Sequence, residues 1–228
     1  MAHSDNAEKK VAFVPKSVAS DHGDSDEDLA RADTYGLLAE WFMQAPTDDL
    51  FNRLAASPAI DKADQSDLAN AWRALIDAVS RANPHEAADE FDALFVAVGK
   101  PLVALHASVY TGGSMNQTIL VELRTDLARL GLETNLEHVQ SEDHFAALCE
   151  IMRYLIAAPD ATGNMLGEQQ RFFAAYFQPW AQAFCEALQA QPQAKVYGAV
   201  ASFASAFLAV EQQAFDIFSA SLDAAQQS

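Results

Sequence analysis

Two stretches of this chain bring residue types that do chemistry close together. Glu142, Asp143 and His144 stand side by side ahead of an apolar helical pattern, two carboxylates and an imidazole in three residues. Such a trio either complements the dipole of a helix start or marks a cleft for a cationic or hydrogen-bonding ligand. The second stretch, Leu94 to Tyr110, is irregular, and its Phe95, His106 and Tyr110 could line a groove or serve ordinary loop packing.

Other chemistries fail on spacing. A di-iron bundle needs paired Glu-x-x-His motifs; none of His22, His85, His106, His138 or His144 has a Glu three positions before it, and His3 is too near the start. No G-x-S-x-G elbow is present. The Gly112-Gly113-Ser114 turn opening a helix resembles an anion-holding loop but lacks the Lys of a phosphate-binding one, so a plain turn is expected. Cys149 and Cys185 sit in apolar helical patterns without zinc-like neighbours, as buried small hydrophobes do. No cofactor and no metal are expected.

The elements that position these residues read as helices. Tyr35, Leu38 and Phe42 form one row of a helix expected over Asp28 to Ala45, which Pro46 ends; Thr47 then caps a short helix with Leu50, Phe51 and Leu54. Leu68, Ala71, Trp72, Leu75, Ile76 and Val79 make a single buried stripe. Asn83-Pro84-His85-Glu86 forms a capping box, and its helix is expected to bury Phe91, Leu94, Phe95 and Val98 before stopping at Gly99. A helix with Leu120, Leu123, Leu127 and Leu130 closes at Gly131. Ser141 is the expected N-cap of the next, with Glu142 and Asp143 in its first turn. Phe172, Phe173, Tyr176, Phe177, Trp180 and Phe184 follow, broken near Pro179. The last long helix is expected to turn Val196, Val200, Phe203, Phe207 and Val210 inward and to fray at its Gln-rich end. No window alternates long enough for a strand. The expectation is an all-α, single-domain bundle of about eight helices over 28–228, behind a disordered acidic tail at 1–27.

Composition narrows the partners. The 228 residues carry a formal net charge of -18, half of them are hydrophobic, and the tail holds three lysines against six carboxylates. Nucleic acid and anionic membrane surfaces are poor partners for such a chain. The longest nearly uncharged apolar stretch, Ala199 to Val210, is too short to span a bilayer, and no export signal is legible, so a cytoplasmic location is expected.

At the two reactive stretches together the chain resembles the TorD/DmsD family, cytoplasmic chaperones that mature molybdenum-containing redox enzymes. The family carries L-F-x-G-P-G, then P-P-W-x-S-V-Y/W, then E-P-x-D-H at a helix start. Leu94-Phe95-Val96-Ala97-Val98-Gly99 corresponds to the first, with Ala97 and Val98 in place of Gly and Pro. His106-Ala107-Ser108-Val109-Tyr110 matches the end of the second, with His106 for Trp and with Ala104 and Leu105 for the prolines. Gln140-Ser141-Glu142-Asp143-His144 matches the third in its Asp and His. Phe172-Phe173, Pro179-Trp180 and Val196-Tyr197 resemble the family's later F-F, P-W and F-Y.

The resemblance implies a chaperone rather than an enzyme. It would bind the twin-arginine signal peptide and the apo catalytic subunit of a molybdenum-containing oxidoreductase, delaying export until the cofactor is in place. Such a peptide has an arginine pair followed by an apolar stretch, so its receptor needs carboxylates beside an apolar groove. Glu142 and Asp143 would meet the guanidinium groups, Leu94, Phe95 and Tyr110 would supply the apolar wall, and Gly99, His106, Ser108 and His144 would complete the site. Chaperones of this kind can also form homodimers by exchanging helices. Two alternatives stay open: a NarJ-like chaperone acting on the catalytic subunit of a membrane-bound reductase, and, more remotely, a weak nucleotide-binding enzyme using the glycine turn.

Overall fold

The computed structural model describes residues 26–96, 100–112, 115–132, 141–158 and 164–226. Ten α-helices run through them: α1 (Asp26–Met43), α2 (Asp48–Ala55), α3 (Asp67–Arg81), α4 (Pro84–Phe91), α5 (Ala107–Thr111), α6 (Met115–Leu130), α7 (Phe145–Ala157), α8 (Met165–Tyr176), α9 (Ala181–Gln189) and α10 (Val196–Gln226). A π-helical turn, Asp92–Val96, follows α4. The fold is all-α and single-domain, with no strand among the described residues. The two helices beyond the expected eight have local causes. The aromatic segment divides at Gln178-Pro179 into α8 and α9, and the connection after the π turn contains the short α5. The tail lies outside the described residues except for Asp26 and Glu27, which already belong to α1.

Several helix ends follow directly from local chemistry. The Thr47 hydroxyl accepts from the Leu50 N–H at 3.3 Å, and Asn83 and Glu86 make the reciprocal capping box. Gly131 has a φ of 71°, open to glycine without strain. There α6 closes with the Leu132 N–H donating to Leu127 O at 2.9 Å and the Gly131 N–H to Ala128 O at 3.2 Å. The N-terminus of α10 is capped from a distance: Glu90 of α4 accepts the N–H groups of Val196 and Tyr197 at 3.2 and 2.7 Å.

The helix α7 is buried on nearly every side and forms the centre of the bundle. It lies along α1, while α10 packs across α3 and α9. Phe42, Phe145 and Phe184 meet at centroid distances of 4.8 to 5.2 Å, and Trp180 closes on Phe145 at 5.8 Å. Cys149 and Cys185 are buried in this core, where burial pushes both thiols above their ordinary range.

Four expectations need correction. The α-helix expected to reach Gly99 gives way to the π turn at Asp92; Leu94 is buried, Phe95 half-buried, and Val98 and Gly99 lie outside the described residues. Trp72 is half-buried against Phe203, not enclosed. Val210 is 47 % exposed, and the residue turned inward beside it is Glu211, at 2 %. Glu211 accepts from Arg31 Nε at 2.7 Å and Nη2 at 2.9 Å, and from the Tyr35 hydroxyl at 3.0 Å. A buried carboxylate is tolerated there because its partners replace the water it loses. The fourth correction, at the start of α7, belongs to the site.

Candidate functional site

The two reactive stretches meet. His106 and His144 face each other across an isolated antiparallel bridge in which the Ala107 N–H donates to Asp143 O (3.0 Å) and the Phe145 N–H to Leu105 O (2.8 Å). The imidazole rings stand edge-to-face with centroids 5.0 Å apart. This clasp ties the connection from α4 to α6 onto the start of α7. It joins residues 35 or more positions apart in the chain, a distance that no local pattern reports.

His144, not Ser141, caps α7. Its Nδ1 accepts from the Ala146 N–H at 3.2 Å, so Glu142 and Asp143 precede the helix and do not lie in its first turn. That hydrogen bond requires Nδ1 without a proton. Burial pushes the His144 pKa down to about 3, helped by His106 and opposed by Asp143. Burial lowers the His106 pKa as well, against the pull of Asp143. The His106 Nε2 atom is buried with no hydrogen-bond partner among the described residues.

Asp143 is fully buried beneath the clasp. It accepts from the Ser108 N–H at 2.9 Å and from the Ser141 hydroxyl. Burial alone would raise its pKa, but these donors hold the carboxyl below the usual carboxylate range. Asp143 therefore meets the backbone of α5 and fixes its position. Glu142 is instead covered by Arg124 of α6, whose Nε and Nη2 donate to its two oxygens at 2.8 and 3.0 Å. The Arg124 hydrogen bond keeps the Glu142 carboxyl low, against the effect of burial.

The remaining residues hold the connection from below. The carbonyl of Leu94 accepts from the Val103 N–H at 3.1 Å. Phe95 packs on Phe42, Phe91 and Tyr197. The Tyr110 hydroxyl donates to Ala104 O at 2.9 Å, its ring lies 5.4 Å from that of Trp180, and burial pushes its pKa up to about 12. The structure thus gathers His106, Ser108, Asp143 and His144 into one clasp, with Glu142 at its edge and Leu94, Phe95 and Tyr110 as its floor. Gly99, Gly113 and Ser114 lie outside the described residues.

Sequence reasoning missed two features. Val96, Leu102 and Val109 of the connection, and Val121 of α6, are each more than half exposed. Apolar periodicity gives no warning of an exposed aliphatic residue, because it reads all of them as inward. Arg124 was also missed. Its only sequence signal is a guanidinium one residue after the buried Leu123, on the same side of α6 as Val121. Among the described residues no group of His, Cys, Asp or Glu is arranged to hold a metal ion, and no helix is long and apolar enough to cross a membrane. A cleft of about 600 Å³ lined by Arg81, Glu86, Glu90 and Lys195 contains none of the clasp residues.

Residues 61–186, more than half of the chain and including the whole clasp, match the family model for the nitrate reductase delta subunit. No curated protein matches the chain.

Proposed function

The chain belongs to the nitrate reductase delta subunit family, and from that premise we propose that it binds a basic, apolar segment at the start of its client's catalytic subunit on the face beside the clasp. The family is one of chaperones for molybdoenzyme assembly. Within that class, the client is the molybdenum-bearing subunit of a nitrate-reductase-type enzyme. A twin-arginine leader, as in the TorD/DmsD branch, is the form of client segment that this face would suit.

The observation that carries the proposal is the Glu142–Arg124 pair. Its two parallel hydrogen bonds are the same ones a client arginine would make. The Arg124 side chain is 58 % exposed, so releasing it to solvent costs little. Binding is then an exchange of one guanidinium for another on Glu142, in which a client arginine covered by its own peptide gains more than the exposed Arg124 pair gives up. The larger part of the affinity comes from covering the exposed Val96, Leu102 and Val109. Each contributes on the order of 1 kcal/mol, about half the value for a fully exposed aliphatic side chain. Asp143, His106, His144 and Ser108 shape this face without touching the peptide, and the acidic chain attracts a cationic segment at long range.

Titration calorimetry with a synthetic peptide carrying an arginine pair and an apolar stretch tests this. Glu142→Gln and Val109→Asp should each weaken binding by about tenfold, the scale of one charged hydrogen bond or one lost apolar contact. Arg124→Gln should tighten it, since the internal competitor is gone. Equal affinities for wild type and Glu142→Gln would refute the exchange. Failure of the peptide to bind, with the apo catalytic subunit still captured, would favour recognition of the client's folded body.

A further inference from the structure

The last four turns of α10 leave an apolar strip uncovered. Val210, Ala214 and Ile217 share one side of the helix, with Phe218 and Leu222 on the adjoining rows. Ile217 is 64 % exposed and Leu222 44 %. The strip adjoins the start of α1. Tyr35 packs on Phe207, and Arg31, one turn earlier, reaches Glu211 and lies over the Phe215 ring at 5.7 Å. The two helices therefore run antiparallel, and Leu29, 47 % exposed, lies at the same end as Ile217.

This end is also electronegative. α10 carries no Lys or Arg along its 31 residues and no basic residue in its last turn, where the helix dipole is negative. Glu27, Asp28 and Asp33 of α1 and Asp216 of α10 add carboxylates. The one cation on α1, Arg31, is shared between the buried Glu211 and Asp28, so Asp28 adds least of these charges.

We propose that the strip is covered by the chain's own residues 9–16. Lys9 and Lys10, then Val11-Ala12-Phe13-Val14, then Pro15 and Lys16 make an apolar run with lysines at both ends, in a chain of net charge -18. Charge and apolarity match the strip, and the tether allows it: ten residues from Lys16 to Asp26 span up to about 33 Å, against about 24 Å for α10 from Val210 to Gln226. Tethering keeps the effective concentration high, so weak contacts suffice. The docked segment would neutralise the C-terminal dipole of α10 and replace the disordered tail that the sequence suggests.

Limited trypsin digestion of the full chain, followed by mass spectrometry, tests the proposal, with cleavage after the exposed Lys62 as the internal standard. Cleavage after Lys16 should be slow in the wild type. It should accelerate about tenfold in Ile217→Asp, because proteolysis tracks the population of the open form, and it should accelerate at raised salt. Val210→Asp, with its helicity and urea midpoint verified, provides a second variant. Cleavage after Lys16 at one rate in the wild type and both variants would overturn the proposal. So would acceleration by Val109→Asp instead, which would put the segment on the clasp face. A wild-type dimer that Ile217→Asp converts to monomer, with cleavage after Lys16 unchanged, would assign the strip to a second copy and overturn it as well.

Discussion

Acid should open the clasp through His144, and the size of the effect follows from its burial. The folded pKa of about 3 lies below the ordinary histidine value near 6.5. Between those two values the unfolded chain binds a proton that the folded chain refuses, so stability rises with pH across that window and falls as pH drops. Each pH unit is worth about 1.4 kcal/mol, so acidification from pH 6.5 to 5 should remove about 2 kcal/mol through this one side chain. His106, whose pKa is also lowered, acts in the same direction. Glu90 and Glu150 act oppositely, because burial holds their carboxyls above the ordinary value. The clean quantity is therefore a difference between wild type and His144→Asn, a residue that can still cap α7 but does not titrate. Urea unfolding at pH 7.5, 6.5 and 5.0 measures it. The variant should start less stable at pH 7.5 and lose about 2 kcal/mol less than the wild type by pH 5.0. Parallel pH profiles would refute the assignment of His144 as a neutral buried cap.

Three further outcomes follow from the same geometry. Asp143→Asn should cost about 1.5–3 kcal/mol of stability, because an amide cannot replace both acceptor oxygens that meet Ser108 and Ser141; an unchanged urea midpoint would show that the buried carboxylate is not needed. Glu211→Gln should cost about 3 kcal/mol by taking the buried carboxylate from the Arg31 guanidinium and leaving it the more exposed Asp28 as charge partner, a loss that differential scanning calorimetry would register as a fall in Tm. Trp180→Ala should cost about 3–5 kcal/mol, as removal of an enclosed indole does; Trp72→Ala, truncating a half-buried one, should cost clearly less, and equal urea midpoints would contradict the burial difference.

The helices, and the points where most of them stop, are legible in the chain's local chemistry. Thr47, the Asn83–Glu86 pair, Gly131 and Pro179 act on their own neighbours within four or five residues, so their effects are written locally. The order of short motifs from Leu94 to Tyr197 likewise pointed to the chaperone class that the family match supports. Long-range packing, by contrast, settles which polar groups are enclosed and which apolar ones are not. Val210 and Glu211 sit one position apart, and periodicity favours the valine; the glutamate goes inside because Arg31, 180 residues away in the chain, waits for it. Asp143 and Glu142 are adjacent carboxylates, yet one is closed in by Ser108 and Ser141 and the other faces Arg124. The cap of α7 passes from Ser141 to His144 because the bridge to His106 holds the backbone there extended. A buried charge or imidazole is tolerated only where its partners already stand, and those partners come from distant parts of the chain.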